Sequence, residues 1–146
     1  GAALAAIVLG SPFAAVFILT LVLIVQGVLF GDGGLTVMGV NIINMGVIGG
    51  FVGYYSYRGL YQIFKSPYAP AFIAGWLSLF VAALATAVEM AMAGTFPLGP
   101  GLFTMGLYHA VIGIIEGGIT AFAIYLIATA RPDILAEAQE KKEVSV

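Results

Sequence analysis

Cysteine is absent from these 146 residues, and charge nearly so. The first absence excludes disulfides, thiolate metal sites and cysteine nucleophiles, and it leaves the redox compartment undetermined. The second excludes more. Asp, Glu, Lys and Arg together make up 8% of the chain against 62% apolar residues, and the mean hydropathy is +1.11. A water-soluble domain of this length does not carry so little charge. Lys and Arg number five, too few for a surface that holds nucleic acid. No Gly-x-x-x-x-Gly-Lys-Ser/Thr loop occurs, so any ATP hydrolysis coupled to this chain is expected on another one.

What the chain has instead is long uncharged runs. A bilayer core about 30 Å thick takes roughly 20 helical residues to cross, and the stretches 12–30, 41–62, 70–93 and 102–130 all reach that length. The expected fold is therefore an all-α membrane protein, one domain built as a bundle of four full transmembrane helices. It carries an amino-terminal helical stub at 1–10 and a polar tail at 131–146, expected to be a solvated end. The cations give an orientation. Arg58 and Lys65 flank the junction of the second and third spans, Arg131, Lys141 and Lys142 follow the fourth, and the loops near Asp32 and Pro97 have none. Four spans then place the Arg58 and Lys65 loop and the carboxyl tail in the cytoplasm by the positive-inside rule.

Ser11-Pro12 reads as a helix start, a serine cap followed by proline at the first helical position. The preceding decapeptide GAALAAIVLG is apolar but about half the length needed to cross, and it has no charged leader of the secretory kind. It reads as the end of a helix whose earlier part lies upstream.

Polar groups at membrane depth are expensive and so mark function or a specific partner. The short set is Gln26, Asn41, Asn44, Glu89, His109 and Glu116. Gln26 is expected to bond a neighbouring helix or water, and Glu89 to reach out to the interface. Asn41 and Asn44, three apart, share a helical face, and Asn41 suits a helix cap. His109 and Glu116, seven apart, share a face of the last span with Gly113 between them, roughly 10 Å apart along the axis. That spacing fits an internal hydrogen-bond network better than an acid and base pair exchanging a proton. Gly46, Gly49, Gly50 and Gly53 form overlapping small-xxx-small pairs, and Gly113 with Gly117 forms another, so backbones approach closely there.

The block Gly31-Asp-Gly-Gly-Leu-Thr-Val-Met-Gly-Val-Asn41-Ile-Ile-Asn44-Met-Gly46, the block Tyr108-His109-Ala-Val-Ile-Gly113-Ile-Ile-Glu116-Gly-Gly-Ile-Thr120 and the ending Ala130-Arg131-Pro132-Asp133 resemble the CbiM/NikM proteins. These are substrate-binding membrane subunits of energy-coupling-factor importers for cobalt and nickel. The resemblance covers essentially the whole chain. It implies that the four spans are the last four of seven, and that the stub closes a third helix. It implies Co²⁺ or Ni²⁺ as transported substrate, with no cofactor of the chain's own and no enzymatic activity. The partners it implies are a coupling membrane subunit of the CbiQ/NikQ kind, ATP-binding subunits of the CbiO/NikO kind and a small CbiN/NikN-type subunit. Family ligands from an amino-terminal Met-His and a loop histidine would lie upstream of Gly1, so no metal ligand is assigned among these residues.

Asn41, Asn44, His109 and Glu116 match family positions and are expected to support the site. Gly46, Gly49, Gly50, Gly53, Gly113 and Gly117 are expected at packing surfaces that include the one meeting the coupling subunit. Asp32 stands where the family often has histidine. The rival readings are a vitamin-specific subunit of the same importer class, for which Tyr54, Tyr55 and Tyr57 would have to line the cavity, an intramembrane enzyme using His109 and Glu116, and an assembly subunit.

Overall fold

The computed structural model describes residues 1–31 and 34–140. The Asp32 turn and the Lys141 and Lys142 pair lie outside the described residues. Within them the chain runs α1 (Ala2–Leu9), α2 (Pro12–Val25) with a π-helical continuation Gln26–Phe30, α3 (Met38–Asn41) with a π-helical continuation Ile42–Ile48, α4 (Gly49–Phe64), α5 (Tyr68–Met92), α6 (Leu98–Ala130) and α7 (Pro132–Glu140).

The first boundary is as the sequence indicates. Gly10 takes the left-handed conformation that ends α1, and the Gly10 and Ser11 amides close on the Ile7 and Ala6 carbonyls at 3.3 and 3.2 Å. Ser11 Oγ then accepts from the Ala14 amide at 3.3 Å with Pro12 at the first helical position. A glycine free to adopt positive φ and a serine that satisfies an orphan amide together make the turn.

Three helices among the described residues are long and apolar enough to cross a membrane: Pro12–Phe30, Tyr68–Met92 and Leu98–Ala130. The expected second span is not one of them. Its path is helical from Met38 to Phe64, but it changes from α to π at Ile42 and back at Gly49, and its second half carries Arg58 and Gln62. The expectation of a single regular helix over 41–62 is thus corrected. Three apolar spans are seen, with a composite helix beside them. The outward faces of α2 and α6 are strongly apolar, with Phe13 73% and Phe103 72% exposed, as suits side chains that meet lipid tails.

The short α1 is no peripheral remnant. Ala3 is 1% exposed and Ala6 fully buried, and the helix touches α2, α4, α5, α6 and α7. Its small side chains admit the neighbours closely, and the glycines of α4 complete the fit. A Cβ on Gly53 would stand 2.6 Å from Ala3 Cα, and one on Gly49 would stand 3.1 Å from Ser78 Oγ. On the other side of the bundle α5 and α6 meet in the same way. A Cβ on Gly117 would stand 2.6 Å from the Phe72 carbonyl oxygen, and one on Gly113 would stand 2.8 Å from the Trp76 ring, whose Nε1 donates to the Ala110 carbonyl at 2.9 Å. Gly46 and Gly50 pack on α2, against Leu19 and Ala15. All six glycines are buried inside this chain. Their expected place at a surface for a coupling subunit is therefore corrected: they seal seams within the bundle.

The tail differs from a solvated end. Arg131 breaks the helix, Pro132 starts α7, and Leu135 is buried in a cluster with Ala3, Ile7, Tyr57, Ala71, Ala74 and Ile124. Arg131 Nη2 donates to Asp133 Oδ2 at 2.6 Å and holds that exposed carboxyl below its ordinary range.

Because backbone cannot yield as a flexible side chain does, Gly53→Ala and Gly117→Ala should each destabilise the protein by about 1–3 kcal/mol. The readout is a lowered thermal unfolding midpoint in detergent. Gly59→Ala, where an added Cβ meets nothing within 4 Å, should lose no stability.

Candidate functional site

Two polar cavities lie side by side within the bundle. The first, about 260 Å³, is lined by Asn41, Asn44 and Met45 from the α3 to π segment, by Leu79, Ala82, Ala83 and Thr86 from α5 and by Met105 and His109 from α6. The second, about 230 Å³, is bounded by Gly1, Ala2, Gln26, Ser78 and Glu116 together with apolar residues of α2. Met45, Leu79 and Ala82 belong to both walls.

Asn44 is the centre of the first. It is 2% exposed and lies in the π-helical stretch, where the wider turn alters which residues face inward. Its Nδ2 donates to Thr86 Oγ1 at 3.0 Å and to Glu89 Oε2 at 2.6 Å, and Thr86 Oγ1 donates onward to the Ala82 carbonyl at 3.1 Å. Both partners of the amide nitrogen accept, which fixes the amide's orientation and leaves Oδ1 as a buried acceptor with no hydrogen-bond partner. His109 Nδ1 lies 2.9 Å from the Met105 carbonyl oxygen one turn back on its own helix. A carbonyl only accepts, so Nδ1 carries the proton.

In the second cavity the Gly1 nitrogen donates to Glu116 Oε1, and that nitrogen is a donor as amine or amide alike. Ser78 Oγ donates to the Gly49 carbonyl at 2.8 Å, tying α5 to α4 where the glycine leaves room.

Of the residues singled out from sequence, Asn41, Asn44 and His109 come together on one cavity, and Glu116 stands on the adjoining one with Gln26. Asn41 does not cap its helix with its side chain, because helical structure begins earlier, at Met38. Glu89 turns inward to Asn44 instead of outward to the interface; a buried amide donor is a better partner than lipid headgroups at the same depth. Neither cavity includes Tyr54, Tyr55 or Tyr57. Tyr54 packs on Arg58 and Tyr55, and Tyr57 lies in the core. Among the described residues no group of three or more His, Cys, Asp or Glu is placed to hold a metal ion.

Sequence reasoning missed Ser78 and Thr86. Ser78, Ala82, Thr86 and Glu89 follow one another at helical spacings of four, four and three, a polar-flecked stripe on one face of α5 that could have been read from the start.

The Asn44 network should show energetic coupling. In a double-mutant cycle of Asn44→Ala with Thr86→Val, the two losses of stability should fall short of additivity by about 0.6–2 kcal/mol, the range for interhelical polar contacts in membranes. Full additivity by thermal or chemical unfolding in detergent would remove the contact from the account.

A model of the CbiM family, described as the cobalt uptake substrate-specific transmembrane region, matches residues 1–134. The chain is 42% identical over 137 residues to a protein of Archaeoglobus fulgidus provisionally named fused nickel transport protein NikMN, covering 92% of this chain and 45% of that protein. It is 34% identical over 144 residues to the cobalt transport protein CbiM of Geobacter sulfurreducens, covering 94% of this chain and 41% of that protein. The chain thus spans somewhat less than half the length of these two relatives. Two crystal structures are similar, one described as a truncated transition metal transporter and one as a transition metal transporter. Their TM-scores are 0.82 and 0.81 at 34% and 36% identity, and the match covers 88% of this chain and 66% and 63% of theirs. The family model over nearly the whole chain, the two relatives and the shared helical architecture agree, and the chain belongs to the CbiM family.

Proposed function

We propose that this chain forms the larger part of the substrate-capturing membrane subunit of an ATP-driven energy-coupling-factor importer for Co²⁺ or Ni²⁺. The observation that carries this reading is the family match over residues 1–134, met in the structure by two adjoining polar cavities inside an otherwise apolar bundle. Relatives named as transport proteins favour a carrier over an enzyme. His109 and Glu116 line different cavities, which removes the geometric support for their acting as an acid and base pair. The absence of tyrosines from both linings takes away the feature on which a vitamin-specific reading relied.

In this reading the composite helix from Met38 to Phe64 also crosses the membrane, and the Arg58 and Lys65 loop and the carboxyl end face the cytoplasm. Asn41, Asn44, His109 and Glu116 support the site that holds the captured ion. Buried hydrogen bonds such as Asn44 to Glu89 hold the helices in one arrangement, and ligand-orienting partners of this kind affect metal affinity strongly. Energy comes from ATP-binding subunits of the CbiO/NikO kind through a coupling subunit of the CbiQ/NikQ kind, with a small CbiN/NikN-type subunit as a further partner.

Cells producing the natural full-length protein with such partners should accumulate radiolabelled Co²⁺ or Ni²⁺ in an ATP-dependent manner. Asn44→Ala and Glu116→Ala should each reduce that uptake by about ten- to a hundredfold, the range for residues that orient metal ligands, at equal protein abundance in the membrane. Uptake equal to that of cells lacking the protein would refute the importer reading.

A further inference from the structure

We infer that the cavity between Asn44 and His109 is a second cation site, a relay for a partly hydrated late transition-metal ion on its way through the protein. The inference rests on the importer reading for its purpose, but its chemistry comes from the cavity itself.

Every side-chain donor hydrogen that the polar network offers is already spent. The two Asn44 Nδ2 hydrogens go to Thr86 and Glu89, the Thr86 hydroxyl hydrogen goes to the Ala82 carbonyl, and the His109 Nδ1 hydrogen goes to the Met105 carbonyl. What is left over accepts. Asn44 Oδ1 is buried without a partner, a state that costs about 1–3 kcal/mol unless something else satisfies it. His109, with its proton on Nδ1, keeps a lone pair on Nε2, the ring nitrogen turned away from its own helix backbone. A histidine whose other nitrogen donates to a backbone carbonyl is in the tautomer and orientation of a metal ligand. Met45 and Met105 add two thioether sulfurs to the lining, and the Glu89 carboxylate stands directly behind Asn44.

A pocket of acceptors backed by a carboxylate, with no Lys or Arg in its lining, calls for a cation. Imidazole nitrogen and thioether sulfur favour late first-row metals over Mg²⁺ or Ca²⁺, which take oxygen. The volume of about 260 Å³ leaves room for an ion that retains several waters, each occupying roughly 30 Å³. One imidazole, one amide oxygen and thioethers make a modest donor set. The absence of a His, Asp or Glu triad among the described residues fits a site that binds well enough to receive an ion and weakly enough to release it. The wall of Met45, Leu79 and Ala82 shared with the Glu116 cavity provides the next step.

The test uses the natural full-length protein in lipid nanodiscs, titrated with CoCl₂ alone and followed by equilibrium dialysis and visible absorption. Two classes of Co²⁺ site are expected. His109→Gln and Met105→Leu, two substitutions that nearly preserve volume, should each weaken only the weaker class, by tenfold or more, with a change in its cobalt absorption bands. Excess Mg²⁺ should not displace that class. A single class of site in the unaltered protein, a weaker class indifferent to both substitutions, or displacement by Mg²⁺ would each overturn the relay. Uptake measured in parallel separates the two readings: transport without a His109-dependent site sinks the relay alone, and a His109-dependent site without transport sinks the importer reading while the cation site stands.

Discussion

The bundle depends on how closely its backbones approach one another around the buried helix α1. Hydrocarbon surroundings give no net gain for burying one apolar side chain against another, so helices in lipid associate through tight van der Waals fit and a few polar contacts. Ala3 against Gly53, and Ala2 with Ser78 against Gly49, are contacts of this sort. They let a helix of only eight residues lie at the centre of the molecule. The same device joins α5 to α6, where Gly75 fits against Thr120 and Gly117 against Phe72.

Closeness of this kind has a consequence for polar groups. A carbonyl or amide brought into a dry seam must find its partner there, and the side chains that serve are short or internally directed: Ser78 on the Gly49 carbonyl, Trp76 on the Ala110 carbonyl, Asn44 between Thr86 and Glu89. Packing and polar chemistry are therefore one arrangement. The two π-helical stretches, at Gln26–Phe30 and Ile42–Ile48, belong to the same arrangement, because each carries a polar residue, Gln26 or Asn44, into a cavity wall. An altered pitch re-aims one residue without breaking the helix on either side.

The site is built by elements distant in sequence. Asn44 meets Thr86 and Glu89 across more than forty residues, and His109 joins them from a third helix. Each helix alone is bland. Their convergence produces an acceptor-rich cavity next to one that holds a carboxylate, and it is this pairing that gives the family match a physical counterpart in the molecule.

From the sequence alone one could read the membrane class, the apolar runs that become α2, α5 and α6, the Ser11-Pro12 start and the small set of polar residues that matter. All of these depend on local composition, spacing and the thickness of a bilayer, and none requires knowing what lies opposite. Only the tertiary structure decided that α1 is central and the six glycines inward, that Glu89 turns to Asn44, that His109 and Glu116 face different cavities, and that Leu135 is folded back into the core. Those outcomes turn on which helix stands beside which and at what distance. In an almost uniformly apolar chain, hydropathy marks nearly every residue as able to face either lipid or protein, so the choice is made by shape.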